Sequence, residues 1–139
     1  MLSFFKKKNM ELVENPLPKI AALLVHAAKI DENYTHKERE IIRKAIIELG
    51  AEDENIDNIL AEAEEIEKKS NQILDFTKEV KNMNEDSKKK IIEVLWNLIY
   101  SDNNPDMYEN SLMRRLTGLM YLNPKTVGDI KQKVINKLK

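Results

Sequence analysis

Apolar residues recur every three to four positions along almost the whole chain, and in two stretches, Ile20–Ala28 and Ile91–Ile99, they run nearly without a break. That rhythm commits a segment to helix, and a helix that is apolar around most of its circumference has to be buried. Two central helices wrapped by amphipathic ones are therefore expected. Only three glycines and four prolines punctuate the 139 residues, and Ala, Glu, Lys, Ile and Leu dominate, which leaves little material for strands. The expected fold is all-α, a single compact bundle of about seven helices.

Local signals place the helix ends. Asn15-Pro16 supplies an N-cap and a proline at the first helical position. Thr35-His36-Lys37-Glu38 is a capping box, and Gly50 closes the helix it opens. A third helix is expected from near Asp53, a fourth from about Asn71 to Met83, a fifth from about Glu85, a sixth from Asp106 and a seventh behind Asn123-Pro124. No linker-like segment divides them. Residues 1–14 read as a flexible N-terminal segment and residues 15–139 as one domain.

Composition excludes several chemistries. The absence of cysteine removes disulfides, thiolate metal sites and a thiol nucleophile, and two histidines are too few for an all-nitrogen zinc site. A net charge of −1 disfavours a general nucleic-acid binder. Lys88-Lys89-Lys90 reads as a solvated helix face. No apolar run is long enough to span a bilayer. Met1-Leu-Ser-Phe-Phe-Lys-Lys-Lys8 places charge after a very short apolar patch, the reverse of a secretory signal, and Phe4 and Phe5 would bind a membrane surface only weakly. The reading is a cytoplasmic protein.

The most specific signal is an internal repeat. Sliding the chain against itself by 71 residues superimposes Leu24 on Leu95, Asp31 on Asp102, Asn33 on Asn104, Glu38 on Glu109 and Arg43 on Arg114. Each copy is a buried helix, a sharp turn opened by an aspartate, and an amphipathic helix with a glutamate in its first turn. Two such hairpins packed about a pseudo-two-fold axis would bring Asp31, Glu38, Asp102 and Glu109 together, and four convergent carboxylates require a divalent cation, Ca²⁺, Mg²⁺ or Mn²⁺. The competing reading needs no metal: Glu38 and Glu109 sit at N3 behind Thr35 and Asp106 as capping residues, and Asp31 and Asp102 accept bonds within their own turns.

The EF-hand pattern does not account for either loop. Counting from Asp102, the glycine position is Met107 and the twelfth is Met113; counting from Asp31, the twelfth is Ile42. His26 and Asn97 occupy equivalent repeat positions, each a lone polar residue in an apolar stretch, and are expected to look into one shared polar pocket. A core histidine is more often hydrogen-bonded to backbone than a ligand, though a neutral imidazole could also ligate a metal or hold a carboxylate.

In Leu24-Val-His-Ala-Ala-Lys-Ile-Asp31 through Glu38, and again in Leu95-Trp-Asn-Leu-Ile-Tyr-Ser-Asp102 through Glu109, the chain resembles the tellurite-resistance TerB family, over about Ala21 to Lys137. The resemblance implies a bundle of about seven helices, with acidic residues of the two repeats as a divalent-cation site. It also implies a role in metal-ion or chemical-stress responses near the inner membrane, with other stress-response proteins as partners. The implied ligands are Asp31, Glu38, Asp102 and Glu109. Departures from the family pattern are Glu32 and Asn103 where a glycine follows each aspartate, Pro105 for the second hydrophobe, and His26 and Asn97 where relatives often carry acids. Asparagine adopts positive φ readily, whereas glutamate there is strained.

No catalytic constellation emerges: the serines lack a glycine elbow and there is no phosphate-cradling loop. Charge is uneven, with Glu52, Asp53, Glu54, Asp57, Glu62, Glu64, Glu65 and Glu67 on the third helix and Lys125, Lys131, Lys133, Lys137 and Lys139 on the last, faces fit to dock partners or simply to stay solvated. The expected function is a non-enzymatic, metal-responsive adaptor. The alternatives are a metal-free helical scaffold and, more remotely, a metallohydrolase.

Overall fold

Caps and turns, more than propensity, set where the helices begin and end. The computed structural model describes residues 16–30, 34–70, 74–102 and 107–138, the side chains at 74, 102 and 107–110 excepted. Seven α-helices lie in this part: α1 Leu17–Ala28, α2 His36–Glu48, α3 Ile56–Lys69, α4 Leu74–Lys81, α5 Glu85–Ile99, α6 Met107–Leu119 and α7 Pro124–Lys137. Single 3₁₀ turns at Asp53–Asn55 and Tyr100–Asp102 lead into α3 and out of α5. The all-α expectation holds.

Pro16 already has helical dihedrals, and its carbonyl accepts the first bond of α1, from Ile20 N at 3.0 Å. The capping box opens α2 as expected: Glu38 N donates to Thr35 Oγ1 at 3.1 Å and Thr35 N donates back to Glu38 Oε1 at 2.9 Å. Asn84 caps α5 by accepting from Ser87 N at 2.8 Å, and Asn123 caps α7 by accepting from Lys125 N at 2.9 Å. Asn15 and Asp106, also expected at helix starts, lie outside the described residues. The fourth helix ends at Lys81, short of the Met83 its pattern suggests, and residues 71–73, where that pattern begins, lie outside the described residues.

At the end of α2, Gly50 N donates to Ile47 O and Ala51 N to Ile46 O, with Gly50 at φ +110. This is a Schellman motif, and its left-handed position is one that glycine fills without strain. The repeat offset carries this motif onto the end of α6, where Tyr121 N donates to Gly118 O and Leu122 N to Thr117 O. There the left-handed position, φ +52, is held by Tyr121. The ends of α2 likewise map onto the ends of α6, so the repeat is a property of the backbone as well as of the side chains.

α1 lies at the centre, packed against α2, α3, α4 and α5, while α5 packs on α2 and α7. Ile20, Leu23 and Leu24 of α1 and Ile91, Ile92 and Leu95 of α5 are buried, as their unbroken apolar runs require. Trp96 is buried as well and donates from its indole nitrogen to Val127 O at 3.1 Å, tying α5 to the first turn of α7. The pairing of α1 with α3 thus recurs as that of α5 with α7. Among the described residues, no helix is long and apolar enough to cross a membrane.

The lysine run at the start of α5 departs from its reading as a solvated face. Lys88 is buried, and Lys90 bridges Glu48 of α2 and Glu93, because α2 packs directly over this part of α5.

Candidate functional site

The start of α2 and the end of α5 meet at one end of the bundle. Lys37, in the first turn of α2, donates from Nζ to the carbonyl oxygen of Ser101 at 2.8 Å, next to Asp102 and 64 residues away in sequence. One lysine side chain therefore spans from the helix that follows the first turn to the start of the second. Of the expected ligands, Asp31 lies outside the described residues; Asp102 closes the 3₁₀ turn after α5 and Glu109 lies in the first turn of α6, with both side chains outside the description. Among the described residues, no group of three or more acids and histidines is close enough to hold a metal ion.

Glu38 is the expected ligand whose carboxylate is described. It is buried, and Oε1 accepts from both the backbone N–H and the hydroxyl of Thr35, at 2.9 and 3.0 Å. Its position is fixed by the cap, so the carboxylate is held at the turn whether or not a cation is there. A hard carboxylate oxygen is a donor suited to Ca²⁺, Mg²⁺ or Mn²⁺.

Around the first turn stands a polar network that the sequence reading missed. Glu64 Oε2 accepts from Tyr34 Oη at 2.8 Å and from Arg39 Nε at 3.0 Å, and Glu67 takes Lys29 Nζ at 2.8 Å and faces His26 Nδ1 at 3.3 Å. These two acids, counted only as part of a solvated acidic run, strap both sides of the turn to α3. The signal was present: Glu64 and Glu67 fall four and seven residues after the buried Leu60, on the stripe that faces α1. Burial pushes the Tyr34 phenol well above its ordinary range, reinforced by the hydrogen bond and the charge of Glu64. The bond to Glu64 likewise raises the Arg39 guanidinium.

His26 and Asn97 do not share the pocket expected of them. His26 closes against Glu67 and the ring of Phe76, with centroids 6.4 Å apart, because α3 and α4 cover its side of α1. Asn97 instead lines an open groove of about 350 Å³ between α2 and α5, with Ile41, Ala45, Val94, Lys90 and Leu138. Helices equivalent in the repeat turn matching side chains toward different neighbours whenever one copy is covered and the other is not. In the groove, Lys90 is shifted to higher pKa chiefly by its bond to Glu48.

The family model described as tellurite resistance protein TerB matches residues 18–132, most of the chain and both repeats. Neither the curated proteins nor the solved structures compared with the chain match it.

Proposed function

The chain belongs to the TerB family, and on that premise we propose that it is a non-enzymatic helical domain that binds one divalent cation between the acidic turns of its two repeats. It acts as an adaptor in metal-ion or chemical-stress responses. Asp31, Glu38, Asp102 and Glu109 supply the carboxylates. The observation that carries this reading is the bond from Lys37 to Ser101, which makes neighbours of segments beside Glu38 and Asp102. The capped carboxylate of Glu38 adds to it, since a ligand already ordered by its own helix costs little to order around a cation. The cation would draw the two turns together and set the shape that partners read.

A second reading, a metal-free interaction scaffold, is favoured by the same capping box, because Thr35 gives Glu38 a structural role that needs no metal. Calorimetric titration of chelator-treated protein with Ca²⁺, Mg²⁺ and Mn²⁺ separates the two. The cation reading expects a single site per chain, lost in Asp31→Asn/Asp102→Asn, with the metal-free stability of that variant equal or higher because carboxylate repulsion is relieved. A variant that loses stability equally with and without cation, in a protein that shows no heat of binding, supports the scaffold.

A further inference from the structure

The two halves of the bundle are covered differently. The repeat offset carries α1 onto α5 and α2 onto α6, and with them Lys19 onto Lys90 and His26 onto Asn97. In one half, α4 packs on both α1 and α6. Phe76, Thr77 and Val80 are buried beneath it, the Phe76 ring lies against His26, and Glu79 sits 3.6 Å from Lys19. The equivalent place in the other half, between α5 and α2, has no helix seated in it among the described residues. It is the open groove that contains Asn97 and Lys90.

The groove has what an α4-like helix would need. Ile41, Ala45 and Val94 line it, and Asn97 stands where His26 meets Phe76; Lys90, the equivalent of Lys19, is already bridged to Glu48 and Glu93. Leu138, 56% exposed, borders it, and Ile47, also exposed, borders the adjoining hollow that shares Lys37, Ile41 and Lys44. Lys37 and Lys44 project from α2 two turns apart with Ile41 between them. Glu48 and Glu93 also line the groove, but both are taken by Lys90. Lys37 bonds a neutral carbonyl, and Lys44 makes no ion pair among the described residues, so these two lysines leave positive charge on the α2 edge of an apolar strip.

We propose that the α2–α5 groove is a docking site for a short, acidic, amphipathic helix of a partner protein. It is the partner-supplied equivalent of α4, laying an aromatic residue over Asn97, an aliphatic one against Ile41 and Val94, and carboxylates toward Lys37 and Lys44. Phe76 and Val80 give the apolar spacing, an aromatic and an aliphatic residue four positions apart, with the acids placed to reach the α2 edge. The proposal rests on the adaptor part of the function above and is independent of the cation.

The test is selection of a random-peptide phage library on the full chain in the presence of EDTA, so that a failure of cation binding cannot affect the result. Enriched sequences should carry the pattern of an aromatic and an aliphatic residue flanked by acids. A synthetic copy of the most enriched sequence should shift the amide resonances of Ala45, Val94 and Tyr100. Its affinity should fall at least about tenfold in Lys44→Glu/Leu138→Asp, two exposed positions, with thermal unfolding unchanged. No enrichment, enrichment without acids, shifts confined to another face, or an affinity unmoved by the double variant would overturn it. So would self-association abolished by Leu138→Asp, which would make the occupant a second copy, or binding of anionic phosphatidylglycerol vesicles abolished by the same substitutions.

Discussion

Lys37 Nζ and the Ser101 carbonyl meet at 2.8 Å across 64 residues of sequence. The contact exists because α2 packs against α5, which sets the first turn of α2 beside the 3₁₀ turn that follows α5. It joins the cation reading, which needs the two turns adjacent, to the groove, which begins at Lys37 and Ser101.

The capping box can be separated from any ligand role of the same residue. Thr35→Ala should cost about 1 kcal/mol in denaturant unfolding, because Glu38 N loses its acceptor. Glu38→Gln should stay within about 0.5 kcal/mol of the parent, since glutamine also completes the box. If Glu38 is a ligand, the same variant weakens cation binding. Loss of stability in Glu38→Gln comparable to that of Thr35→Ala would show that the carboxylate's charge is itself structural.

The two Schellman positions should respond unequally to substitution. Gly50→Ala meets open space but forces a side chain to φ +110, and should cost about 1–2 kcal/mol. Tyr121→Gly relieves strain of similar origin while losing the Lys81 contact over its ring, 4.4 Å from the centroid, and should stay within about 0.5 kcal/mol of the parent. Equilibrium unfolding decides it. A loss above about 1.5 kcal/mol in Tyr121→Gly would assign the exposed ring a structural role.

Tyr34 makes a pH prediction. Its folded pKa is raised above the unfolded value near 10, so the neutral phenol's contribution is complete below about pH 10 and is lost as pH rises through the folded value. Ultraviolet titration should show one tyrosine ionising later than free tyrosine, absent in Tyr34→Phe and shifted down in Glu64→Gln. Alkaline stability should fall less steeply in Tyr34→Phe.

Trp96 reports on the docking of α7. Trp96→Phe removes the bond to the Val127 carbonyl and part of a buried ring, and should cost roughly 1–3 kcal/mol by helix circular dichroism during unfolding. A neutral result would mean that α7 is held mainly by Val127 and Val134, which are also buried.

Most of the fold was legible because its signals are local. The apolar runs marked α1 and α5 as central, Thr35 and Glu38 announced the start of α2, and Gly50 announced its end. The site was less legible. That His26 would meet Glu67 and Phe76 while its equivalent Asn97 lines an open groove depends on where α4 packs, and the repeat makes those two positions look alike. Lys90 and Glu64 were read as solvated because one sequence shows charge but not the opposing helix that collects it. Tyr121 at positive φ left no local signal, since tyrosine is a poor choice there.

The most direct test of convergence is to add substoichiometric Mn²⁺ to isotopically labelled protein and follow paramagnetic line broadening of the amides. The account predicts that Tyr34 to Lys37 and Ser101 broaden together at the same low Mn²⁺ level, and that either Asp31→Asn or Asp102→Asn alone removes the effect at both turns. Broadening confined to the exposed acids of α3 and its leading 3₁₀ turn, or persisting at one turn after the other's aspartate is changed, would contradict it.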